Sequence, residues 1–165
     1  MKHRITRSAL LLAALSTVSV ALWAADSAQM GGATMITPGQ LKWGDAPPSL
    51  PKGAKLAVLH GDPSKEGQFA FRLKLPANYK IAPHSHPADY MVTVLSGSPS
   101  VGVGEKVDTK AAHALKPGSF HFLPGKTNHY WLMKGATELQ VQGAGPFGLT
   151  YVNAEDDPQK IAAKK

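Results

Sequence analysis

The 165 residues suffice for one domain and hardly for two, and 43% apolar with 18% charged residues is the balance of a folded globular chain, which excludes a disordered one. The formal charge of +7 has no clustered Lys/Arg block behind it, so no nucleic-acid partner is expected. With no cysteine in the chain, thiolate metal ligands, thiol nucleophiles and disulfides are excluded, and stability must come from the core.

Residues 1–25 have the layout of a secretory signal peptide: a basic head at Lys2, Arg4 and Arg7, an apolar stretch over 9–23, then Ala24 and Ala25. The stretch is too short and wrongly flanked for a membrane span, which predicts a periplasmic or secreted protein with no membrane attachment once the signal is removed. Removing those three basic residues takes the formal charge from +7 to +4. Residues 26–42 are small, polar and Gly-containing and read as a flexible lead-in. Over 43–51 the "APPSLP" run forbids helix and predicts an irregular arm that crosses a surface.

From Lys55 the pattern is β. "KLAVLHG" is a short apolar strand that stops at the turn signal Gly61-Asp62-Pro63. "GQFAFRLKLPANY" alternates, with Phe69, Phe71, Leu73 and Leu75 on one face. Further strands are predicted over 90–95, 100–103, 119–123, 128–133, 137–142 and 147–152, separated by Gly- and Pro-containing turns. Only 108–115 carries a trace of helical periodicity, and the tail 158–165 reads as a frayed end. Eight or nine short strands at close spacing predict an all-β sandwich or barrel.

The histidines carry the chemistry. His60 beside a turn and His113 in a Lys-rich segment read as surface residues. His84 and His86 stand two apart in an extended segment, so both rings point to one side. His129 opens another strand and supplies a third imidazole; three imidazoles suit zinc, iron, manganese, nickel or copper and leave positions open for water or substrate. The pair on its own is also compatible with a surface loop that holds no metal.

Two motifs extend this reading. Asn78, His84, His86, Tyr90 and Gly97 follow the spacing of the first cupin motif, and Gly118, Pro124, Lys126, His129 and Met133 that of the second. Over about residues 43–157 the sequence resembles a single-domain member of the cupin superfamily. The resemblance implies an antiparallel β-barrel or jelly roll with an irregular N-terminal arm, a divalent metal on His84, His86 and His129, a small-molecule ligand and a homodimer. In its "GDPSK" and "GPF" segments the chain also resembles cupins of unassigned function, a likeness less specific than the motifs. Four positions depart from the motifs: Asn78 and Lys126 stand where glycine is usual, Met133 where asparagine is usual, and Tyr90 where the ligating glutamate is usual. Asn78 tolerates a left-handed backbone, and Gly125 beside Lys126 is expected to carry that turn.

Tyr90 is the departure that touches chemistry. In an extended chain His84, His86 and Tyr90 share a face and Asp89 points away, although Pro87 can break the extension and turn Asp89 inward. Tyr90 is the candidate catalytic residue, able to coordinate, to donate a hydrogen bond to a bound ligand, or to fill space. A site without the carboxylate carries one negative charge less, which favours Zn, Ni, Cu or Fe over Mn.

His121 is read as pointing outward, with a role behind the ligands or as a base as the alternative. Gln140 and Gln142 share a face and would orient a ligand if that face is interior. Trp131 and Met133 follow His129 at steps of two and should wall the same cavity. These features predict a metal-dependent small-molecule enzyme, dioxygenase-like or using a metal-activated water. A non-catalytic protein that binds or senses a metal or small ligand is the alternative, and an assembly role for the arm a third.

Overall fold

A computed structural model describes residues 33–163. The expected signal peptide, residues 26–32 of the expected lead-in, and Lys164 and Lys165 lie outside the described residues. Among the described residues eleven strands form two antiparallel sheets, as a jelly roll requires. The strands are β1 (Gly44–Asp45), β2 (Lys55–His60), β3 (Gly67–Leu75), β4 (Lys80–Ser85), β5 (Tyr90–Ser96), β6 (Pro99–Val103), β7 (His113–Ala114), β8 (Phe120–Leu123), β9 (His129–Met133), β10 (Thr137–Gly145) and β11 (Thr150–Tyr151). One sheet runs β1-β2-β3-β10-β5-β8 and the other β11-β4-β9-β6-β7. No described helix is long and apolar enough to cross a membrane.

Alternation explains the core. Phe69, Phe71, Leu73 and Leu75 of β3 are buried on the inner face, with Val92 and Val94 of β5 and Leu139 and Val141 of β10. Ile81, Val101, Trp131 and Met133 come from the facing sheet. On the outer face Arg72 donates to Gln140 through Nε at 3.3 Å and pairs with Glu138 at 3.5 Å. Gln140 and Gln142 therefore line the outside of the sheet, not a ligand cavity.

Three other expectations are corrected. Residues 108–115 form no helix, because the Asp108 carboxylate accepts from the amides of Lys110 and Ala111 and makes a tight turn before β7. The strand expected over 147–152 shortens to β11. The tail is partly ordered: Asn153 caps a short turn and Pro158–Ala163 form a helix with no buried residue.

The N-terminal arm is tied down by side chains from the barrel. Tyr79 donates to the Pro51 carbonyl at 2.5 Å, Tyr151 donates to the Ser49 carbonyl at 2.8 Å, and the Lys74 ammonium sits 4.1 Å from the Trp43 ring centre.

Two motif glycines have steric reasons. Gly97 has φ +87, and a Cβ there would lie 2.5 Å from the Thr137 hydroxyl and 2.6 Å from the Ala136 carbonyl oxygen. At Gly125 a Cβ would stand 2.9 Å from the Pro87 carbonyl oxygen, so the glycine permits close approach of two loops. The left-handed backbone itself falls on Lys126, at φ +64, and not on Gly125 as the sequence suggested; Asn78 does the same at φ +62. Lys126 is exposed and its amide donates to the His86 carbonyl at 2.7 Å, an interaction any residue can make. Lys126→Gly should therefore raise stability by about 1 kcal/mol in urea unfolding, the relief of the left-handed strain exceeding the entropy cost of glycine. An unchanged midpoint would show that the strain is absent.

Candidate metal centre

Register brings the histidines together. β4 pairs with β9 so that His84 lies directly opposite His129, and His86 follows one residue beyond the end of β4. All three are buried, at 2%, 6% and 0% exposure for His84, His86 and His129. Their rings are 4.2 Å apart for His84 and His129, 5.0 Å for His84 and His86, and 5.5 Å for His86 and His129. One nitrogen from each lies within 4.8 Å of the others, the only such group of three among the described residues.

Backbone carbonyls set the tautomers. Nδ1 of His84 meets the Ala82 carbonyl at 2.8 Å, that of His86 the Gly148 carbonyl at 2.6 Å, and that of His129 the Thr127 carbonyl at 2.9 Å. A carbonyl can only accept, so each Nδ1 carries the proton and each Nε2 presents a lone pair. Burial also holds the rings neutral. His86 and His129 are pulled down to about 4, and His84 well below its ordinary value, with its two histidine neighbours adding to the effect of burial. Three neutral imidazoles oriented by second hydrogen bonds are the donor set a divalent transition metal takes, so the residues fit such an ion.

Tyr90 and Asp89 part company. Asp89 is exposed, and its carboxylate accepts from the Gly125 amide at 2.7 Å, which staples the turn at Pro124 and Gly125 to the loop before β5. Tyr90 is 3% exposed and its hydroxyl lies 2.6 Å from Nε2 of His129. Burial raises its pKa, with the Trp131 side chain opposing, so the phenol keeps its proton and donates to His129.

His121 is corrected. It pairs with Val92, which is buried, so its ring turns inward and meets Trp131 edge-on at 5.8 Å, while Phe120 and Phe122 are 61% and 50% exposed. Its Nε2 is buried without a hydrogen-bond partner among the described residues, and burial lowers its pKa. His60 and His113 are exposed, as expected.

A cavity of about 280 Å³ opens onto the cluster. Its floor is His84, His86 and Tyr90, its walls include Phe71, Trp131 and Val141, and no Lys, Arg, Asp or Glu lines it. Met133, expected to share this wall, is buried elsewhere in the core. Phe147 stacks on His86 with ring centres 4.1 Å apart and 12° between planes, and its amide donates to the Pro63 carbonyl at 2.6 Å. The "GDPSK" and "GPF" segments thus meet at the cavity mouth. Alternation could not reveal this, because both segments, apart from Gly145 at the end of β10, lie outside the strands.

No curated protein matches the sequence. Among solved structures, the polyketide cyclase RemF from Streptomyces resistomycificus superposes with a TM-score of 0.63 at 16% identity, over 79% of this chain and 93% of that one. An RmlC-like cupin from Shewanella frigidimarina NCIMB 400 gives 0.53 at 17% identity, over 67% and 88%. A candidate acetylacetone dioxygenase from Methylibium petroleiphilum PM1 gives 0.58 at 18% identity, over 75% and 83%. At such identities the likeness establishes a fold, the cupin barrel, and no activity. Residues 34–150 match the family described as a domain of unknown function, DUF4437, and the chain belongs to that family of cupin-like proteins.

Proposed function

We propose that this protein is a metal-dependent enzyme that acts on a small, uncharged, largely apolar molecule carrying an oxygen ligand. The observation that carries the reading is the set of three buried imidazoles, each with Nδ1 tied to a carbonyl so that Nε2 carries a lone pair, two of them lining a cavity without charged walls and the third, His129, lying behind Tyr90. His84, His86 and His129 would hold the ion, with Zn, Fe, Ni or Cu favoured over Mn because no carboxylate joins them. Such an ion supplies Lewis-acid polarisation of a bound oxygen or, if redox-active, chemistry with O₂. The chain's own residues do the rest. Phe71, Trp131 and Phe147 exclude water, the stack of Phe147 on His86 holds that ring in place, and the Tyr90 side chain forms part of the floor. The basic head and apolar stretch of residues 1–25 support the further reading that the protein works outside the cytoplasm.

A second reading, binding without turnover, is favoured by one observation: the cavity lining holds no carboxylate that could serve as a base. Reconstitution separates the two. The protein loaded in turn with Zn²⁺, Fe²⁺, Ni²⁺ and Cu²⁺ should bind one equivalent and convert at least one member of a panel of uncharged aromatic and dicarbonyl compounds. Oxygen uptake and product formation are the readouts. In the metal-free protein, carboxylate analogues of equal size should bind at least about tenfold more weakly, because the walls offer no counter-charge. Asp89→Asn should leave metal affinity within about twofold. Stoichiometric metal with ligand binding and no turnover would establish the second reading, and no metal uptake would sink both.

A further inference from the structure

The hydroxyl of Tyr90 stands where the third metal bond must form. Nδ1 of His129 is committed to the Thr127 carbonyl, so its Nε2 has only a lone pair, and the Tyr90 hydroxyl donates to that lone pair at 2.6 Å. A metal ion bonded to an imidazole sits about 2.0–2.1 Å out along the same lone pair. Oxygen and metal cannot share that direction at those distances, since their separation would fall far below a metal–oxygen bond length.

A second observation agrees. His84 and His86 line the cavity, whereas His129 does not and is 0% exposed; Tyr90 lines the cavity in its place. The phenol both caps the donor nitrogen of His129 and screens it from the route by which an ion would arrive. The tyrosine ring packs against the stacked His86 and Phe147 rings, 4.6 Å and 5.3 Å away, so its resting position is set by packing as well as by the hydrogen bond.

We propose that Tyr90 gates the metal centre: in the metal-free protein its hydroxyl holds the third coordination position, and an ion gains His129 only when that hydroxyl swings off Nε2. The phenol keeps its proton throughout and exchanges one acceptor for another. Released from His129, the O–H faces the cavity, where a ligand oxygen can accept it. Metal loading and ligand binding are thereby coupled through one side chain. This rests on the metal reading above.

The test compares wild type, Tyr90→Phe, Tyr151→Phe and His129→Ala in Zn²⁺ competition against a chromophoric chelator, with thermal unfolding of metal-free and metal-loaded forms. Tyr90→Phe removes one oxygen and should bind Zn²⁺ about five- to tenfold more tightly, because the competing buried hydrogen bond is gone. Metal-free Tyr90→Phe should melt below wild type, its His129 Nε2 now unpartnered, and should gain more in Tm on adding Zn²⁺. Zn²⁺ uptake by wild type should give a near-UV tyrosine difference signal that is absent from Tyr90→Phe. Tyr151→Phe, which removes a hydroxyl bonded to the arm, should match wild type in affinity. Equal or weaker Zn²⁺ binding by Tyr90→Phe overturns the gate and makes the hydroxyl a bystander or a ligand. If wild type takes up no Zn²⁺, or His129→Ala binds it as wild type does, the metal reading itself fails, and that result is distinct from an unaltered Tyr90→Phe.

Discussion

His129→Ala should lose stoichiometric metal uptake, with affinity down by more than about 100-fold. Loss of a residue that merely orients a ligand already costs about 10–100-fold, and His129 would supply the ligand itself. The two remaining imidazoles, His84 and His86, belong to one short segment and can offer only two bonds. The substitution also has a structural cost. His129 is fully buried opposite His84, and its removal leaves the Tyr90 hydroxyl without its acceptor. His129→Gln, which keeps most of the volume, should lose metal to a similar degree with a smaller fall in unfolding midpoint. Elemental analysis after dialysis against a limiting metal buffer, together with urea unfolding, reads both effects. If one equivalent of metal persists in His129→Ala and His129→Gln, the three-histidine centre is wrong.

Acidification should unfold the metal-free protein over a window set by the same rings. His86 and His129 titrate at about 4 in the folded chain because burial penalises the charged form, against an ordinary value of about 6.5 once unfolded. Between those values the unfolded chain binds protons that the folded chain refuses, so stability falls as pH falls. Above about pH 6.5 these groups contribute no slope, and below about 4 their contribution is fully lost. The loss is on the order of 3 kcal/mol for each of the two imidazoles, and His84 shifts in the same direction. Urea midpoints at pH 7.5, 6.5, 5.5 and 4.5 should therefore be level at first and then drop, with a slope approaching two to three protons. A midpoint that stays level down to pH 4.5 would mean that the rings are not buried as neutral imidazoles.

Much of the architecture is legible in the chain. The alternation in "GQFAFRLKL" places Phe69, Phe71, Leu73 and Leu75 on one face, and they form the wall of the core. Gly97 and Gly118 mark real turns, each with positive φ. The spacing of His84, His86 and His129 points to one site because period two is a property of any extended chain. What fails is the choice of side. Alternation says that His121 opposes Phe120 and Phe122, and that Gln140 opposes Val141, but not which of the two faces inward. Pairing decides it: His121 lies opposite buried Val92, and Gln140 opposite Arg72 on the outer face.

Loops escape the sequence for another reason. Their contacts are long-range and follow no period, so neither the stack of Phe147 on His86 nor the staple from Asp89 to Gly125 has a local signature.

By itself, then, the sequence determined an all-β chain with three imidazoles in register and no cysteine chemistry, because strand period and residue type are local properties. Tertiary structure decided that Tyr90, and not Asp89, meets the cluster, and that its hydroxyl rests on His129. It also placed the backbone carbonyls that fix each ring's tautomer. Those outcomes depend on which distant segment closes over each side chain, and no run of neighbouring residues encodes that.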